Sequence, residues 1–402
     1  MTAIGRNETD SQDGRPMRRL RLGMVGGGDG AFIGAVHRIA ARLDDCYEVV
    51  AGALSSNPER ALTSGAAIRL DPARSYLDYR EMARLEAERA DGIDVVAIVT
   101  PNHLHAPVAK AFLEAGIHVI CDKPLGISLA EGRELAALAR ARNRVFALTH
   151  TYSGYPMVRH ARELVASGAI GEVRLVHVEY AQDWMAEAAN QSPDFQASNW
   201  HNDPQRAGPT GCTGDIGTHA FHLAGFVSGI QPSELLAELH SFTPNRILDD
   251  HVQVMLRYPN GARGMLWSSQ MATGCENALK LRVFGSKASL AFDQENPNEL
   301  LLTPQGGCAE RLTRGRVGGG AAGHASRIPC GHPEGYLEAF AQLYRDTAAQ
   351  IHAVEAGQPL PAATAGLPTV DDGVDGLRFI DAVLASHEAG SSWVALSKTR
   401  SA

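Results

Sequence analysis

Features that would assign the protein to a well-defined small-domain or membrane class are missing from its sequence. Its six cysteines, at positions 46, 121, 212, 275, 308 and 330, include no Cys-x-x-Cys pair, which argues against both a zinc ribbon and a disulfide framework. Reduced thiols are typical of the cytoplasm, where we expect the protein to be found. No apolar run approaches the roughly 20 residues of a transmembrane helix, so we expect no membrane partner.

Strong charge of one sign is also missing. The net charge is -8, and the one short basic stretch is RPMRRLR, residues 15–21. Binding to phosphates requires clustered lysine and arginine, so we do not expect nucleic acid as a partner. The polar residues 1–18 lack the apolar segment of a signal peptide, and we predict a disordered tail there.

What is present is enough chain for two domains and a clear change of pattern between them. The protein has 402 residues, of which 44% are hydrophobic. From residue 20 to about 150, short apolar runs alternate with helical periods, which predicts βαβ units and a parallel sheet. After residue 150, strand-like runs separated by breaks such as YPNGARG predict an antiparallel sheet. The glycine-rich residues 312–326 are predicted to be a mobile loop, and two long helices close the chain.

The first predicted strand runs into the glycine-rich segment VGGGDGAFIGAVH, residues 25–37. Glycines after a strand let the backbone turn tightly and approach a pyrophosphate at the N-terminus of the next helix. In a Gly-x-Gly-x-x-Gly motif Ala31 takes the third place, and Gly34 lies farther along the chain. We therefore predict a dinucleotide site at this turn. The predicted contact residues are Gly26, Gly28, Ala31, Phe32 and Ile33.

The second predicted strand lacks the terminal acid that binds the ribose hydroxyls of NAD in many such domains. Ser55 and Ser56 take its place, and Arg60 follows. Without the carboxylate a 2′-phosphate is not repelled, and Arg60 is within reach of one, so NAD and NADP are both permitted. The alternative is purely local, with Asn57 capping a helix whose first turn contains Arg60.

The segment TPNHLH, residues 100–105, follows the third predicted strand. Loops at the carboxyl ends of parallel strands hold the ligand in doubly wound sheets, so we predict cofactor contacts here. The alternative is that the asparagine caps the next helix and the histidines are ordinary surface residues. The predicted contact residues are Thr100, Pro101, Asn102 and His105.

The segment CDKP follows the fourth predicted strand at the same sheet edge. An ammonium group there can donate a hydrogen bond and stabilise charge on a reacting group, which makes Lys123 a catalytic candidate. Asp122 and Pro124 complete the turn, and the bond before Pro124 is a candidate for the cis form. The alternative is a lysine that only caps an exposed strand end.

The segment TGDIGTHAFH, residues 213–222, carries three chemically active side chains at helical spacing. Asp215, His219 and His222 lie on one side of a helix if the segment is helical. Acid–base catalysis, metal binding and simple capping by Asp215 are the three interpretations. No fourth ligand is evident in the sequence, so we expect no metal.

In this order, VGGGDGAFIGAVH, TPNHLHAP, CDKP and GDIGTH resemble the Gfo/Idh/MocA family of NAD(P)-dependent oxidoreductases. The resemblance runs from about residue 20 through the closing helices. It implies a Rossmann dinucleotide-binding domain at residues 19–150 and a C-terminal α/β domain at residues 151–402. The second domain is expected to contain a large, open, mainly antiparallel sheet that mediates a homodimer or homotetramer. NAD or NADP is the implied cofactor, with NAD favoured.

The resemblance also implies functions for individual residues. Lys123 corresponds to the lysine of the family's Glu-Lys-Pro motif, in which Asp122 here replaces the glutamate and joins Lys123 and Pro124 in binding the cofactor. Asp215 and His219 match an Asp-x-x-x-His pair in which the histidine is the general base. Relatives often carry arginine at the place of His201, a change that affects substrate choice. The implied substrate contacts are Lys123, Tyr152, Trp200, His201, Asp203, Asp215 and His219.

The activity that follows from this resemblance is oxidation of a secondary hydroxyl of a cyclitol, sugar or glycoside. One alternative is a glycosidase of the same fold that oxidises the sugar transiently and eliminates the aglycone. A second alternative is a non-catalytic sugar sensor. The presence of Lys123, Asp215 and His219 argues against a sensor, because a sensor does not need groups that transfer protons.

Overall fold

The computed structural model describes residues 17–187, 195 and 199–396. Their backbone divides into two compact units. The first comprises the residues up to Gly126, Ala130–Gly154 and Arg327–Gly373, and the second comprises Ile127–Leu129, Tyr155–Ser326 and the residues from Val374 onwards. The predicted tail, residues 1–18, lies outside the described residues except for its last two.

The strands formed by the described residues fall into two sheets, one in each unit. Their bounds in chain order are β1 Leu20–Gly26, β2 Tyr47–Ala53, β3 Val95–Val99, β4 His118–Cys121, β5 Phe146–Leu148, β6 Val173–Ala181, β7 Glu234–His240, β8 His251–Arg257, β9 Arg263–Ser269, β10 Ala278–Gly285, β11 Ala288–Asp293, β12 Glu299–Pro304, β13 Glu310–Thr313 and β14 Val394–Ala395.

The α-helices of the described residues are numbered in the same way. Their bounds are α1 Phe32–Leu43, α2 Pro58–Ala67, α3 Tyr79–Glu88, α4 His105–Glu114, α5 Leu129–Ala141, α6 Pro156–Ala166, α7 Pro204–Ala207, α8 Thr218–Ser228, α9 Gly320–Ala325, α10 Tyr336–Glu355 and α11 Val370–Glu388.

The first unit contains a parallel sheet in the order β2-β1-β3-β4-β5. The central strand β3 reads VVAIV and is buried along its whole length, as expected for a parallel strand covered on both faces. This arrangement confirms the Rossmann-type fold predicted from the alternation of strands and helices. It also brings the loops that follow β1, β3 and β4 to the carboxyl edge of one sheet.

Helix α10 explains why residues 327–373 belong to the first unit, although they were assigned to the second domain from the sequence. One face of α10 packs on α1. Phe340 and Tyr344 of α10 lie in the same core cluster as Leu22 and Val95 of the sheet. The chain therefore returns to the first unit after building most of the second.

The second unit is built on a nine-stranded sheet in the order β13-β12-β11-β10-β6-β9-β8-β7-β14. The contact between β6 and β9 is parallel, and the other neighbouring pairs are antiparallel. Strand β8 alternates buried and accessible residues, which is the pattern of a sheet with one covered face. The predicted large, mainly antiparallel sheet is thus confirmed.

The glycine-rich residues 312–326 differ from their prediction as a loop. Their first two residues end β13, and the alanine-rich residues Gly320–Ala325 form the short helix α9. Ala322 and Ala325 of this helix are buried, and its Ala321 N–H donates to Glu163 of α6 at 2.6 Å. Packing against α6 therefore outweighs the low helix propensity of the glycines.

Candidate active site

The glycine-rich turn after β1 adopts backbone conformations that require glycine. Gly26 and Gly27 have φ values of 78° and 65°, in the left-handed region that side chains disfavour. A Cβ atom on Gly26 would lie 2.2 Å from the carbonyl oxygen of Val99 in β3. The turn therefore passes too close to its neighbouring strand for any other residue.

Gly34, and not Ala31, allows α1 to approach this turn closely. A Cβ atom on Gly34 would lie 2.2 Å from the carbonyl oxygen of Gly27. Ala31 is the residue that precedes the helix, and its side chain provides no cap. The assignment of Ala31 to the third glycine position is therefore corrected to Gly34.

The start of α1 fits an anionic cofactor group. No side chain caps the first N–H groups of the helix at Ala31, and such groups are a ready site for a pyrophosphate. Phe32 is 76% exposed, and Ile33 is half-buried. A side chain would not fit at Gly28, because a Cβ atom there would lie 2.8 Å from the carbonyl oxygen of Leu54.

The residues that follow β2 cap the next helix and reach the glycine turn. Asn57 caps α2, since its Oδ1 atom accepts from the Arg60 N–H at 3.0 Å. Arg60 also reaches the glycine turn, where its Nη2 atom donates to the carbonyl oxygen of Asp29 at 2.7 Å. Ser55 is half-buried and Ser56 is exposed, so a serine stands where an acid is usual.

The segment after β3 divides into accessible residues and one buried histidine. Thr100, Pro101 and Asn102 are half-buried, and Asn102 begins a 3₁₀ turn in place of capping α4. His105 is 1% exposed. Its Nδ1 atom lies 2.6 Å from the carbonyl oxygen of Pro124, and its Nε2 atom lies 2.8 Å from that of Thr100.

His105 therefore holds two loops together, which corrects its prediction as a cofactor contact. Both ring nitrogens are directed at main-chain carbonyl oxygens of the protein itself. Burial lowers the pKa of His105, although the two carbonyl groups and Asp122 oppose this effect. Both ring nitrogens of this buried imidazole are thus engaged by the loops that it connects.

The Asp122–Pro124 turn follows β4, and its Lys123–Pro124 peptide bond is cis, as the sequence suggested. The Oδ1 atom of Asp122 accepts from His37 Nε2 at 2.9 Å and from Thr149 Oγ1 at 2.6 Å. Burial favours a higher pKa for Asp122, but His37 and these hydrogen bonds together hold its pKa below the usual value. Asp122 is therefore an ionised carboxylate, and Lys123 is half-buried beside it.

His37 was missed in the sequence, where it is one residue in the apolar period of α1. It is completely buried. The signal that could have identified it was a polar residue at a position that the helical period assigns to the core. Tyr152, a predicted substrate contact of the same unit, is also buried and lies in a 3₁₀ turn near Tyr336.

In the second unit, a buried carboxylate anchors the segment that begins at Gly211. Asp249 accepts from the Gly211 N–H at 2.6 Å, from the Thr213 N–H at 2.8 Å and from Thr213 Oγ1 at 2.7 Å. Burial raises the pKa of Asp249, and these hydrogen bonds oppose the rise. The anchored residues lead directly into a π-helical turn, Thr213–Gly217, and then into α8.

Asp215 lies inside this π-helical turn, so its interpretation as a simple helix cap is wrong. Its Oδ2 atom accepts from Gln270 Nε2 at 2.8 Å, and Gln270 follows β9. His219 is half-buried, with its ring centre 6.3 Å from that of Tyr180. Within the described ranges, Asp215, His219 and His222 do not form a group that could hold a metal ion.

The predicted substrate loop is a 3₁₀ turn at Trp200–Asn202 followed by α7. The rings of Trp200 and His201 are stacked with centres 3.7 Å apart. Asp203 caps α7 by accepting from the Gln205 N–H at 2.9 Å, which gives its carboxylate a structural function. Arg246, which the sequence reasoning missed, donates to Asn202 Oδ1 and to the carbonyl oxygen of Leu248.

Tyr155, three residues after Tyr152 in the chain, belongs to the core of the second unit. It is 1% exposed, and its hydroxyl oxygen accepts from Gln294 Nε2 at 3.1 Å.

Among the described residues, none of the helices combines the length and the apolar character needed to cross a membrane.

Comparisons with known proteins agree with this geometry. Residues 20–150 match the oxidoreductase family with an NAD-binding Rossmann fold, and residues 158–291 match the GFO/IDH/MocA C-terminal domain. The uncharacterized oxidoreductase YfiI of Bacillus subtilis is 36% identical over 93% of this chain and 96% of its own length. Levoglucosan dehydrogenase of Pseudarthrobacter phenanthrenivorans is 32% identical over 71% of this chain and 76% of its own.

A solved structure shows the same fold. It is an inositol dehydrogenase homolog from Azotobacter vinelandii in complex with NADH and myo-inositol, 37% identical to this chain. The similarity covers 94% of this chain and 98% of that one, with a TM-score of 0.87. The glycine turn, the uncapped start of α1 and these matches lead to one conclusion: the chain belongs to the Gfo/Idh/MocA family of NAD-binding oxidoreductases.

Proposed function

We propose that the protein is an NAD-dependent dehydrogenase that oxidises a secondary hydroxyl of a cyclitol, a sugar or a glycoside. The observation that carries this proposal is the firm anchoring of both candidate catalytic segments, at Asp122 and at Asp249. The inositol dehydrogenase homolog in complex with myo-inositol and the related levoglucosan dehydrogenase support the substrate class. A sensor would have no need to hold Lys123 and the Asp215–His219 pair on rigid supports.

NAD, when bound, accepts a hydride from the carbon that carries the hydroxyl group. The glycine turn and the first N–H groups of α1 would bind its pyrophosphate. Further contacts are proposed at Ser55, Ser56, Thr100, Pro101, Asn102, Asp122, Lys123 and Pro124. We favour NAD over NADP, because Arg60 already donates to the carbonyl oxygen of Asp29.

The proton of the hydroxyl group is proposed to pass to His219. An imidazole exchanges protons efficiently near neutral pH, which suits a general base. Asp215, held by Gln270, would stabilise the protonated ring. Lys123 would donate a hydrogen bond to the reacting oxygen and stabilise its developing negative charge.

The remaining predicted contacts determine the choice of substrate in this proposal. Tyr152, Trp200 and His201 would contact the polyol, and the stacked rings of Trp200 and His201 offer a flat apolar surface. Asp203 acts through the loop that it caps. The six cysteines are free, in keeping with the proposed cytoplasmic location.

Assembly as a homodimer or homotetramer through the large sheet is part of the proposal. The exposed face of this sheet carries large apolar side chains, and such patches often mark protein interfaces. They are Leu175, Met255, Met265 and Leu301, exposed by 39%, 56%, 43% and 44%. Light scattering of the purified protein measures the oligomeric state directly.

The test of the activity is a panel of inositols, free sugars, levoglucosan and aryl glycosides, with NAD⁺ and NADP⁺ in parallel. Absorbance of the reduced cofactor and release of the aglycone are followed together. We expect reduced NAD to accumulate with one group of polyols. Aglycone release without net reduction would replace the dehydrogenase by a glycosidase, and cofactor binding without any reaction would favour the sensor.

The variant His219→Ala tests the general base. Loss of a general base lowers turnover by about 10²- to 10⁴-fold, while NAD⁺ binding, measured by calorimetry, is expected to stay unchanged. The control is His240→Ala, an exposed histidine at the end of β7. Near-normal turnover of His219→Ala would remove this residue from the mechanism.

A further inference from the structure

Two buried histidines of the first unit hold the residues on either side of Lys123. His37 of α1 contacts the side chain of Asp122, which precedes the lysine. His105 of α4 contacts the carbonyl oxygen of Pro124, which follows it. The histidines come from different helices and reach the turn at different atoms, so the two contacts constrain it independently.

The ring of His37 is fixed by its surroundings. It is packed edge-on against Phe340 and Tyr344 of α10, with ring centres 4.7 Å and 5.8 Å away. Its Nδ1 atom lies 2.7 Å from the hydroxyl of Tyr344, and its Nε2 atom lies 2.9 Å from Asp122 Oδ1. The ring therefore has little freedom to rotate away from the carboxylate.

The direction of these hydrogen bonds follows from the carboxylate. An ionised Asp122 can only accept, so Nε2 of His37 carries a proton and donates. On the other side of the ring, Nδ1 faces the hydroxyl group of Tyr344. Thr149 donates to the same oxygen of Asp122 at 2.6 Å. The resulting chain runs from Tyr344 of α10 through His37 of α1 to Asp122, where Thr149, the residue after β5, also donates.

We propose that His37 is a positioning residue for Lys123, acting through Asp122. The inference rests on the proposed function, in which Lys123 donates to the reacting oxygen. Misplacement of a reacting group by about 1 Å can lower turnover by about 10²-fold. The completely buried His37 cannot contact substrate or cofactor itself, so its effect reaches the reaction only through the turn.

Two substitutions of His37 separate positioning from packing. His37→Phe keeps a ring between Phe340 and Tyr344 and removes the donor, whereas His37→Gln retains a donor near the position of Nε2. We expect His37→Phe to lower kcat by about 10²-fold, with KM changed by less than about threefold, and His37→Gln to recover most of the loss. The smaller change Tyr344→Phe removes only the hydroxyl group behind His37 and should lower kcat less.

The matched control is His118, another buried histidine of the first unit. It lies at the opposite end of β4 from Asp122, and its Nδ1 atom accepts from the Val145 N–H at 2.8 Å. Burial lowers the pKa of His118 to about 4, so it is neutral at pH 7. We expect His118→Phe to lower the melting temperature without a change in kcat.

The readouts are kcat and KM with the best polyol of the panel, and the kinetic isotope effect with substrate deuterated at the oxidised carbon. Hydrogen exchange of the amides of Asp122, Lys123, Leu125 and Gly126 needs no substrate. His37→Phe should raise the isotope effect, because the chemical step becomes slower, and should speed exchange at these amides. A kcat of His37→Phe equal to the parent's, or equal loss in His37→Phe and His37→Gln, would overturn the positioning role.

Failure of the proposed function gives a different result. Normal turnover of Lys123→Ala, or oxidation of none of the polyols by the parent protein, would overturn the function assigned to Lys123. Faster amide hydrogen exchange within residues 122–126 of His37→Phe would then still support the conclusion that His37 stabilises the turn. Unchanged exchange there would overturn that conclusion, whatever the activity.

Discussion

The two candidate catalytic segments are anchored through carboxylates of opposite character. In the first unit Asp122 belongs to the segment itself and is held by the side chains of His37 and Thr149. In the second unit Asp249 lies outside its segment and receives the main-chain N–H groups of Gly211 and Thr213. The first anchor therefore fixes a side chain of its segment, that of Asp122, and the second fixes the backbone of its segment at Gly211 and Thr213.

The two carboxylates also differ in the direction in which their surroundings shift the pKa. The imidazole of His37 stabilises the negative charge of Asp122, so that its pKa lies below the usual value in spite of burial. Burial dominates at Asp249, and its pKa is raised although three donors face it. Main-chain donors thus provide firm geometry, whereas an ionisable partner also provides charge compensation.

The largest effect is expected from removing the anchor of the second unit. Asp249→Ala leaves the buried donors of Gly211 and Thr213 without their acceptor, and each such loss costs about 1–3 kcal/mol. We expect the free energy of unfolding to fall by about 4 kcal/mol in urea titrations. Turnover should fall as well, because the anchored backbone leads into Asp215.

An exposed aspartate provides the reference for this change. Asp78 caps α3 by accepting from the N–H groups of Arg80 and Glu81, and its replacement by alanine should cost about 1 kcal/mol. A loss in Asp249→Ala no greater than in Asp78→Ala would show that the three buried hydrogen bonds do not anchor the segment.

Two threonines allow a matched comparison of the anchors at intermediate size. Thr149 donates to Asp122 and Thr213 donates to Asp249, at 2.6 Å and 2.7 Å. Asp249 keeps two main-chain donors in Thr213→Val, whereas Asp122 depends more strongly on Thr149. We expect losses of about 2 kcal/mol for Thr149→Val and about 1 kcal/mol for Thr213→Val, from chemical denaturation.

Thr347 serves as the control for loss of a buried threonine hydroxyl. Its Oγ1 atom donates to the carbonyl oxygen of Leu343, four residues earlier in α10. We expect Thr347→Val to lower the free energy of unfolding by about 0.5 kcal/mol. A larger loss in Thr213→Val than in Thr149→Val would reverse the proposed ranking of the two anchors.

The motifs could be predicted from the sequence because each depends on local chemistry. Glycines with positive φ, a lysine between an acid and a proline, and an Asp-x-x-x-His spacing are visible in a few consecutive residues. The anchors were not predictable in this way. His37 is separated from Asp122 by 85 residues, and Gln270 from Asp215 by 55, so only the tertiary fold brings the partners together.

The errors in the sequence-based predictions have the same origin. Ala31 matched the spacing of a glycine motif, but the approach of α1 to the turn takes place at Gly34. His105 looked like a ligand contact because it follows a strand, yet it is buried against two carbonyl groups. Spacing identifies which segment lies at a site, and burial decides which side chain of that segment is accessible.

The smallest effect is a difference in how stability depends on pH, since asparagine nearly preserves the shape of aspartate. The folded pKa of Asp122 is lowered, so ionised Asp122 contributes stability that is present above its unfolded pKa of about 4 and is lost as the pH falls through the folded value. The folded pKa of Asp249 is raised, so its contribution is present below the unfolded pKa and is lost as the pH rises through the folded value. Relative to the parent, the deficit of Asp122→Asn should therefore shrink from pH 7 to pH 3, while that of Asp249→Asn should grow. Unfolding free energies at the two pH values measure both trends, and trends of the same sign would contradict the distinction between the two anchors.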